Sequence, residues 1–226
     1  MSGQRGGPGR GTPGGGAQVE LLQLFATPVA VVVLPEAEQL NAGLRETILT
    51  RERDHAGTAH SNLGGWQSTW DMTAWGGAET QRILEQAKQL ANRLTADRQG
   101  RPVSLDWRIN AWANINRSGH GNEFHTHPGA YWSGTYYVDD GGIAAEPELG
   151  GQFEVQDPRG VAPVMYAPNL TFATQGGASL GASETLSPRA GMLVLFPAWL
   201  QHQVRPYSGT RERISIAFNL SLPKET

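Results

Sequence analysis

The sequence predicts a mainly β protein, built as a double sheet or barrel with helices on its flank. From Val103 onward, short apolar runs alternate with glycine and proline in the pattern of strands joined by turns. Before Val103, two segments carry apolar residues three and four positions apart, which is typical of amphipathic helices. The chain has 226 residues, 38% of them hydrophobic, enough to bury one large core. We therefore expect a single domain over residues 19–226.

Residues 1–18 are rich in glycine and are predicted to form a flexible tail. The first sixteen contain eight glycines and two prolines, and no apolar side chain follows Met1. Such a composition cannot bury enough surface to offset the entropy lost on ordering. From Val19 to Leu34 the chain becomes rich in β-branched residues, so we expect a strand or strand pair there, with Pro28 at an edge or bend.

Two helices are predicted before the β-rich region. The first covers Glu36–Arg53, directly after a proline, and the second covers about Ala78–Arg98. The segment between them, residues 61–71, is polar and glycine-rich and carries Trp66 and Trp70. Exposed tryptophans favour a ligand lid or an interface, whereas buried ones would cover the edge of the core. The sequence leaves both interpretations open.

Composition argues against several functional classes. The formal net charge of −3 provides no basic surface, so nucleic acid is not an expected partner. Cysteine is absent, so metal ligands must come from histidine, aspartate or glutamate. The longest apolar run, Val29–Leu34, is too short to span a bilayer, and no signal-peptide pattern is present, so we expect a cytoplasmic protein without a membrane partner. The sequence contains no Gly-x-Ser-x-Gly motif that would indicate a hydrolase.

One predicted strand, Trp107–Asn116, alternates in a way that indicates a ligand-binding interior. One face is apolar, while the other carries Asn110, Trp112, Asn114 and Asn116. Neutral amides suit the inside of a barrel that holds a ligand, although a solvated face would also tolerate them. Further strands are predicted at Gly134–Val138, Gly150–Val155, Ala162–Tyr166, Met192–Phe196 and Ile214–Leu220.

The strongest signal for chemistry is a His-x-His pair within the stretch from Asn122 to Val138. If this stretch is a strand, Glu123, His125 and His127 share one face, because side chains alternate along a strand. Two imidazoles in this arrangement can bind one transition-metal ion. The candidate for a third ligand is His202, which follows a long apolar run and a turn.

Several motifs occur in a fixed order between Trp107 and Leu220. They are His-x-His-Pro at 125–128, Tyr-Tyr-Val at 136–138, Gly-Gly-x-Phe at 150–153, a strand ending in Phe-Pro at 196–197 with His202 beyond it, and Gly-x-x-x-Arg-x-Ser at 209–215. Together they resemble the iron(II)- and 2-oxoglutarate-dependent oxygenases, and most closely the prolyl-hydroxylase-like branch. The resemblance implies a double-stranded β-helix, the cupin-like jelly-roll. It also implies Fe(II), 2-oxoglutarate as cosubstrate, dioxygen, and hydroxylation of a small-molecule or peptide substrate.

Carried over to this chain, the resemblance implies that His125, His127 and His202 bind the metal and form the catalytic centre. It implies that Arg213, Ser215 and Tyr137 bind the far carboxylate of 2-oxoglutarate. Asn114, on the polar face of its predicted strand, is expected to line the cosubstrate site. The residue type agrees with this role, because a guanidinium matches a carboxylate with two parallel hydrogen bonds and keeps its charge. Arg211 lies on the same predicted strand face and is the alternative anchor.

The chain departs from the family pattern at one metal ligand. His127 stands where most members have aspartate or glutamate, so three neutral imidazoles leave the iron one charge unit more positive. Glu123 could assist the metal from the same face. The remaining histidines, His55, His60 and His120, are expected at the surface.

Two other functions remain open from the sequence. One is a cupin-type three-histidine metal enzyme without 2-oxoglutarate, and the other is a non-catalytic barrel that binds a small molecule. Oligomerisation is also possible. The walls or lid of the site are expected to include Trp66, Trp70, Trp112 and the loop Gly141–Leu149.

Overall fold

The computed structural model of the protein describes residues 26–160, 169–170 and 182–223. The predicted tail at residues 1–18, the start of the predicted strand at Val19 and the predicted strand Ala162–Tyr166 lie outside these ranges. Within the part that the structure describes, no helix is both long and apolar enough to cross a membrane.

Helices and strands follow the predicted order. The helices are α1 (Ala37–Asp54), α2 (Met72–Trp75) and α3 (Gly77–Leu94), and Pro147–Leu149 forms one turn of 3-10 helix. The strands are β1 (Ala30–Val33), β2 (Asn62–Leu63), β3 (Trp66–Gln67), β4 (Arg108–Asn116), β5 (Gly121–His125), β6 (Trp132–Asp140), β7 (Phe153–Gln156), β8 (Ser183–Leu186), β9 (Met192–Pro197), β10 (His202–Val204) and β11 (Arg213–Ser221).

The described strands form two antiparallel sheets. One has the order β1-β9-β6-β11-β4-β3, and the other has the order β2-β5-β10-β7-β8. The long central strand β11 pairs with β4 at nine positions and with β6 at eight, whereas the smaller sheet consists of short strands. This is the jelly-roll arrangement of the double-stranded β-helix, so the predicted fold class is confirmed.

The helices cover the outer face of the larger sheet and close the main core. Leu44 and Ile48 of α1 and Ile83 of α3 are fully buried, in one apolar cluster with Tyr136 and Ile216 of the sheet. Their spacing in α1 and α3 places these side chains on one helix face, as the periodicity predicts. The helices therefore leave the opposite, concave face of the sheet free to line a site.

Two predicted boundaries differ from the structure. The second helix ends at Leu94 rather than near Arg98, because Thr95 turns to an extended conformation. The Thr95 hydroxyl donates to the Ala91 carbonyl at 2.7 Å and accepts from the indole of Trp132 at 3.0 Å, so tertiary contacts hold this helix end. In the described part of the N-terminal run, the strand covers only Ala30–Val33, beyond Pro28.

Candidate active site

A cavity of about 210 Å³ lies between the concave faces of the two sheets. Both sheets contribute side chains to its wall, including the three candidate metal ligands and the candidate cosubstrate residues. The lining comprises His60, Ser61, Gln67, Trp70, Trp112, Asn114, Asn122, His125, Thr126, His127, Pro128, Gly134, Thr135, Tyr137, Phe153, Phe196, His202, Val204, Arg213, Ser215, Ala217 and Asn219.

Three histidines converge on one side of this cavity. The ligand nitrogens of His125, His127 and His202 all lie within 4.8 Å of one another, and among the described residues they are the group able to hold a metal ion. His125 and His202 lie opposite each other on the paired strands β5 and β10. Strand pairing therefore brings together two imidazoles that are 77 positions apart in the sequence.

The third histidine reaches the cluster from outside the strand. The prediction that the strand continues through His127 is wrong, because β5 ends at His125. The amide of His127 donates to the Ala198 carbonyl at 2.9 Å, and the amide of Ala130 donates back to the His127 carbonyl at 3.3 Å. These bonds fix a turn that places Nε2 of His127 3.3 Å from Nε2 of His202.

Backbone contacts determine which imidazole nitrogens face the metal position. Nδ1 of His125 lies 2.7 Å from the Glu123 carbonyl, and Nδ1 of His202 lies 2.8 Å from the Leu200 carbonyl. Because a carbonyl only accepts, Nδ1 carries the proton in both rings and Nε2 presents its lone pair. Two nitrogens that bind one ion at about 2.1 Å and at right angles are about 3 Å apart, close to the distance between His127 and His202.

Burial keeps all three imidazoles neutral at physiological pH. It lowers the pKa of His127 to about 4 and that of His202 to about 3, with the neighbouring histidine charges adding to the effect. Burial also lowers the pKa of His125, partly offset by its bond to the Glu123 carbonyl. Neutral imidazoles are the form that binds a metal ion.

The side chain of Glu123 does not join the histidine cluster. Glu123 is exposed and lies outside both the cavity lining and the metal-binding group, so only its carbonyl takes part, by orienting His125. His120 is likewise absent from the cavity wall, and its Nδ1 accepts from the amide of Arg117 within a turn. The candidate ligand set among the described residues therefore consists of imidazoles.

Arg213 lies in the cavity wall and is almost completely buried, with 1% of its surface exposed. Its Nε donates to the Gly151 carbonyl at 3.1 Å, and its Nη1 donates to the Asn116 side-chain oxygen at 3.2 Å. Both acceptors are neutral, and no carboxylate forms an ion pair with Arg213 among the described residues. Burial disfavours the charged form and lowers the pKa of Arg213, and the nearby Tyr137, Tyr207 and Asp140 only partly oppose this shift.

Two hydroxyls lie beside this guanidinium. The Ser215 side chain shares the face of β11 with Arg213, and Ser215 lies opposite Tyr137 of β6. The Cζ atom of Arg213 is 5.2 Å from the centre of the Tyr137 ring. The hydroxyl of Tyr137 is buried and makes no hydrogen bond of good geometry in the described part of the chain. Burial raises its pKa, and the nearby Arg213 and Thr135 partly oppose that shift. An acceptor of hydrogen bonds, such as a carboxylate, would complete this group.

The alternative anchor, Arg211, lies outside the cavity. Its side chain is 62% exposed, and its Nη2 is 3.6 Å from a carboxylate oxygen of Asp139. A surface ion pair therefore occupies Arg211, whereas Arg213 is buried in the cavity wall.

A row of polar side chains crosses the larger sheet beside the histidines. Gln67 lies opposite Asn114, Asn114 opposite Ser215, and Ser215 opposite Tyr137. Directly opposite residues share a face of the sheet, so the row covers four neighbouring strands, and all four residues line the cavity. The expectation that the polar face of β4 points into a ligand-holding interior agrees with this placement.

The structure changes some of the predicted walls. Trp70 and Trp112 line the cavity, but Trp66 and the loop Gly141–Leu149 do not. The indole of Trp66 donates to the His55 carbonyl at 3.0 Å and packs against the main core. Trp66 therefore covers the edge of the core, whereas Trp70 lies in the wall of the candidate ligand site.

Two lining residues were not expected from the sequence. His60 was expected at the surface; its side chain is exposed, but it stands at the cavity wall, edge-on to Trp70 with ring centres 5.8 Å apart. Gln67 carries no sequence signal, because its strand β3 is only two residues long and its role follows from pairing with Asn114.

The jelly-roll and its three convergent imidazoles define the class of the protein, a double-stranded β-helix with a group of histidines able to hold a metal ion. Residues 110–219 match the model of the family described as "Putative 2OG-Fe(II) oxygenase". This region, which carries every ligand candidate named above, belongs to that family, so the resemblance inferred from the motifs is confirmed and the chain is an oxygenase of the iron(II) and 2-oxoglutarate class. No curated protein sequence matches the chain.

Solved structures share the fold at low sequence identity. A prolyl-4-hydroxylase from Pseudomonas putida is 18% identical with a TM-score of 0.60, and the match covers 88% of this chain and 95% of that one. A Trichoplax adhaerens prolyl hydroxylase, in complex with a hypoxia inducible factor peptide fragment, is 13% identical with a TM-score of 0.59, covering 88% and 86%. HygX from Streptomyces hygroscopicus, with nickel and 2-oxoglutarate bound, is 13% identical with a TM-score of 0.54, covering 88% and 85%.

Proposed function

We propose that this oxygenase binds Fe(II) through Nε2 of His125, His127 and His202 and binds 2-oxoglutarate against Arg213. The observation that carries the proposal is a buried arginine without a carboxylate partner, in the same cavity as three neutral, convergent imidazoles. Imidazole nitrogen suits iron(II) among other first-row metals. When bound, iron(II) with 2-oxoglutarate supplies the activation of dioxygen.

The residues around Arg213 are suited to hold the far carboxylate of 2-oxoglutarate. Arg213 supplies the positive charge, and the hydroxyls of Ser215 and Tyr137 supply further donors on adjacent strands. The Tyr137 hydroxyl has no other partner among the described residues, so a carboxylate oxygen would satisfy it. Asn114 lies next to Ser215 in the cross-strand row and can contact the cosubstrate from that side.

The rest of the cavity is left for the substrate. We infer hydroxylation of a small molecule or a peptide, because the fold neighbours include one solved with a peptide fragment and one solved with hygromycin B. The side chains of Phe153 and Phe196 pack around His202, with ring centres 5.2 and 4.7 Å from it, and exclude water from that side of the metal position.

Anaerobic titration with Fe(II) and then 2-oxoglutarate tests the proposal. We expect the wild type to develop the visible charge-transfer band of an iron–keto-acid chelate. Arg213→Met should lose the band at the same 2-oxoglutarate concentration, whereas the matched control Arg211→Met should keep it, because Arg211 is at the surface. Circular dichroism checks whether Arg213→Met is folded.

Metal binding without the band in the wild type would contradict the proposal and favour a three-histidine cupin-type enzyme. This second function is considered because all three candidate metal ligands are histidines. Absence of stoichiometric metal would favour a non-catalytic binding barrel. Both results are read from the wild-type protein alone.

A further inference from the structure

We propose that Gln67 is a substrate-binding residue, whose side-chain amide donates a hydrogen bond to a carbonyl or carboxylate oxygen of the substrate. Because the described cavity lining contains no carboxylate side chain, we further expect the group that enters the cavity to be uncharged or anionic rather than cationic. This inference rests on the proposed oxygenase function and names the substrate class of the same site.

The first observation is the state of the Gln67 side chain. Gln67 is 2% exposed and lines the cavity, yet its Nε2 has no hydrogen-bond partner among the described residues. A buried amide donor without an acceptor destabilises the folded protein, because folding removes it from water. Gln67 is therefore placed at the cavity wall at a cost in stability that a bound oxygen acceptor would offset.

The second observation is the distance of Gln67 from the cosubstrate residues. Gln67 lies opposite Asn114, which lies opposite Ser215, so β4 separates the strand of Gln67 from the strand of Ser215. Neighbouring strands are about 4.8 Å apart, which puts the two backbones about 10 Å from each other. The amide of Gln67 therefore belongs to a different part of the cavity from the arginine that would hold the cosubstrate.

Aromatic side chains connect this part of the cavity to the metal position. Trp112 is two residues from Asn114 on the same face of β4, and its ring centre is 5.7 Å from that of His127. Trp70 follows β3 and packs edge-on against His60. A planar or apolar group that bonds to Gln67 would lie between these rings, beside the histidines.

The third observation is the charge of the wall. No aspartate or glutamate side chain is among the described residues that line the cavity, although the sequence contains 21 of them. The formally charged side chain in this lining is that of Arg213. An ammonium or guanidinium group would lose its hydration there without a carboxylate to replace it, so cations are disfavoured.

Three probes of similar size and different charge test the inference. They are N-acetylalanine methylamide (neutral), N-acetylalanine (anionic) and alanine methylamide (cationic), each added to the Zn(II)- and 2-oxoglutarate-loaded protein. Amide NMR reports the side-chain signal of Gln67, which is assigned by its loss in Gln67→Met. We expect the neutral and anionic probes to shift this signal and the cationic probe to leave it in place.

Gln67→Met keeps the length of the side chain but removes the donor. We expect it to weaken binding of N-acetylalanine methylamide at least fivefold and to raise the melting temperature, because an unsatisfied buried amide has gone. The matched control is Gln81→Met, since the exposed Gln81 amide bonds the Thr73 carbonyl at 2.7 Å, outside the cavity. The control should leave probe binding unchanged.

The inference is overturned if the cationic probe binds as well as the neutral one, if neither oxygen-bearing probe shifts the Gln67 signal, or if Gln67→Met binds like the wild type. Binding of 2-oxoglutarate to the wild type is measured on the same sample before any probe is added. Failure at that first step contradicts the proposed function, whereas failure at the probe step with 2-oxoglutarate bound contradicts only the role of Gln67.

Discussion

His125 and His202 lie directly opposite each other on strands β5 and β10, with their ring centres 4.3 Å apart. Each ring donates from Nδ1 to a backbone carbonyl two residues before it in the chain. The same local contact thus orients both rings, and the strand pairing aims both Nε2 atoms at one point. The proposed metal position therefore depends on the register of β5 and β10 as much as on the histidines themselves.

Removal of one of these ligands should abolish tight metal binding. We expect His202→Gln to lower the affinity for Fe(II) at least 100-fold, because loss of even an orienting partner of a ligand typically costs 10- to 100-fold. Metal content after dialysis, measured by mass spectrometry, checks this. His120→Gln is the matched control, since His120 lies outside the cavity lining. Full metal occupancy in His202→Gln would remove His202 from the ligand set.

His127 should strengthen cosubstrate binding because its imidazole is uncharged. We expect His127→Asp to retain metal but to bind 2-oxoglutarate about three- to tenfold more weakly, because it places a negative charge beside a dianion. Calorimetric titration of the anaerobic metal-bound protein measures the effect. His127→Asn is a neutral control that separates the charge from the loss of the ring. Tighter 2-oxoglutarate binding in His127→Asp would contradict the electrostatic argument.

Tyr137→Phe should change cosubstrate affinity and stability in opposite directions. We expect at least about tenfold weaker binding of 2-oxoglutarate, because a hydrogen bond to a charged group is worth about 1.5–3 kcal/mol. The ligand-free variant should be as stable as the wild type or more stable, since the hydroxyl has no partner among the described residues. Thermal unfolding with and without 2-oxoglutarate measures both effects. A variant that is less stable without ligand would show that the hydroxyl has a structural role.

Glu154 should stabilise the fold in a pH-dependent way. Its hydrogen bond from Arg205, with further bonds from Ser183 and Gln203, lowers the pKa of Glu154 to about 2 from an ordinary value of 4.5. A lowered pKa means that the stabilisation is complete above pH 4.5 and is lost as the pH falls from 4.5 towards 2.

We therefore expect Glu154→Gln to lower the free energy of unfolding by about 1–2 kcal/mol at pH 7, a modest value because the Arg205 side chain is 47% exposed. The difference from the wild type should shrink below pH 4.5. Urea denaturation at pH 7, 5 and 3 measures it. Glu148→Gln, at an exposed glutamate, is the control. A difference that stays constant between pH 7 and 3 would contradict the assignment of the pKa.

Local pattern was sufficient for the fold class and for most of the ligand candidates. Alternation along β4 predicted which face would be buried, and the order of His125, His127, His202 and Arg213 predicted the family. These features depend on side-chain periodicity and on short spacings, which strand and helix geometry impose wherever the chain folds. The α1 helix and the central strands of the larger sheet follow the sequence for the same reason.

Pairing between distant segments decided the rest. His127 lies beyond the end of its strand, in a turn that a hydrogen bond to Ala198 stabilises. Arg211 lies at the surface, whereas Arg213 lies in the cavity wall. Gln67 lines the cavity because its two-residue strand pairs opposite Asn114. The sequence by itself determined which side chains could do chemistry, but the tertiary structure decided which of them meet. The physical reason is that sheet register and burial depend on segments far apart in the chain, which no local spacing encodes.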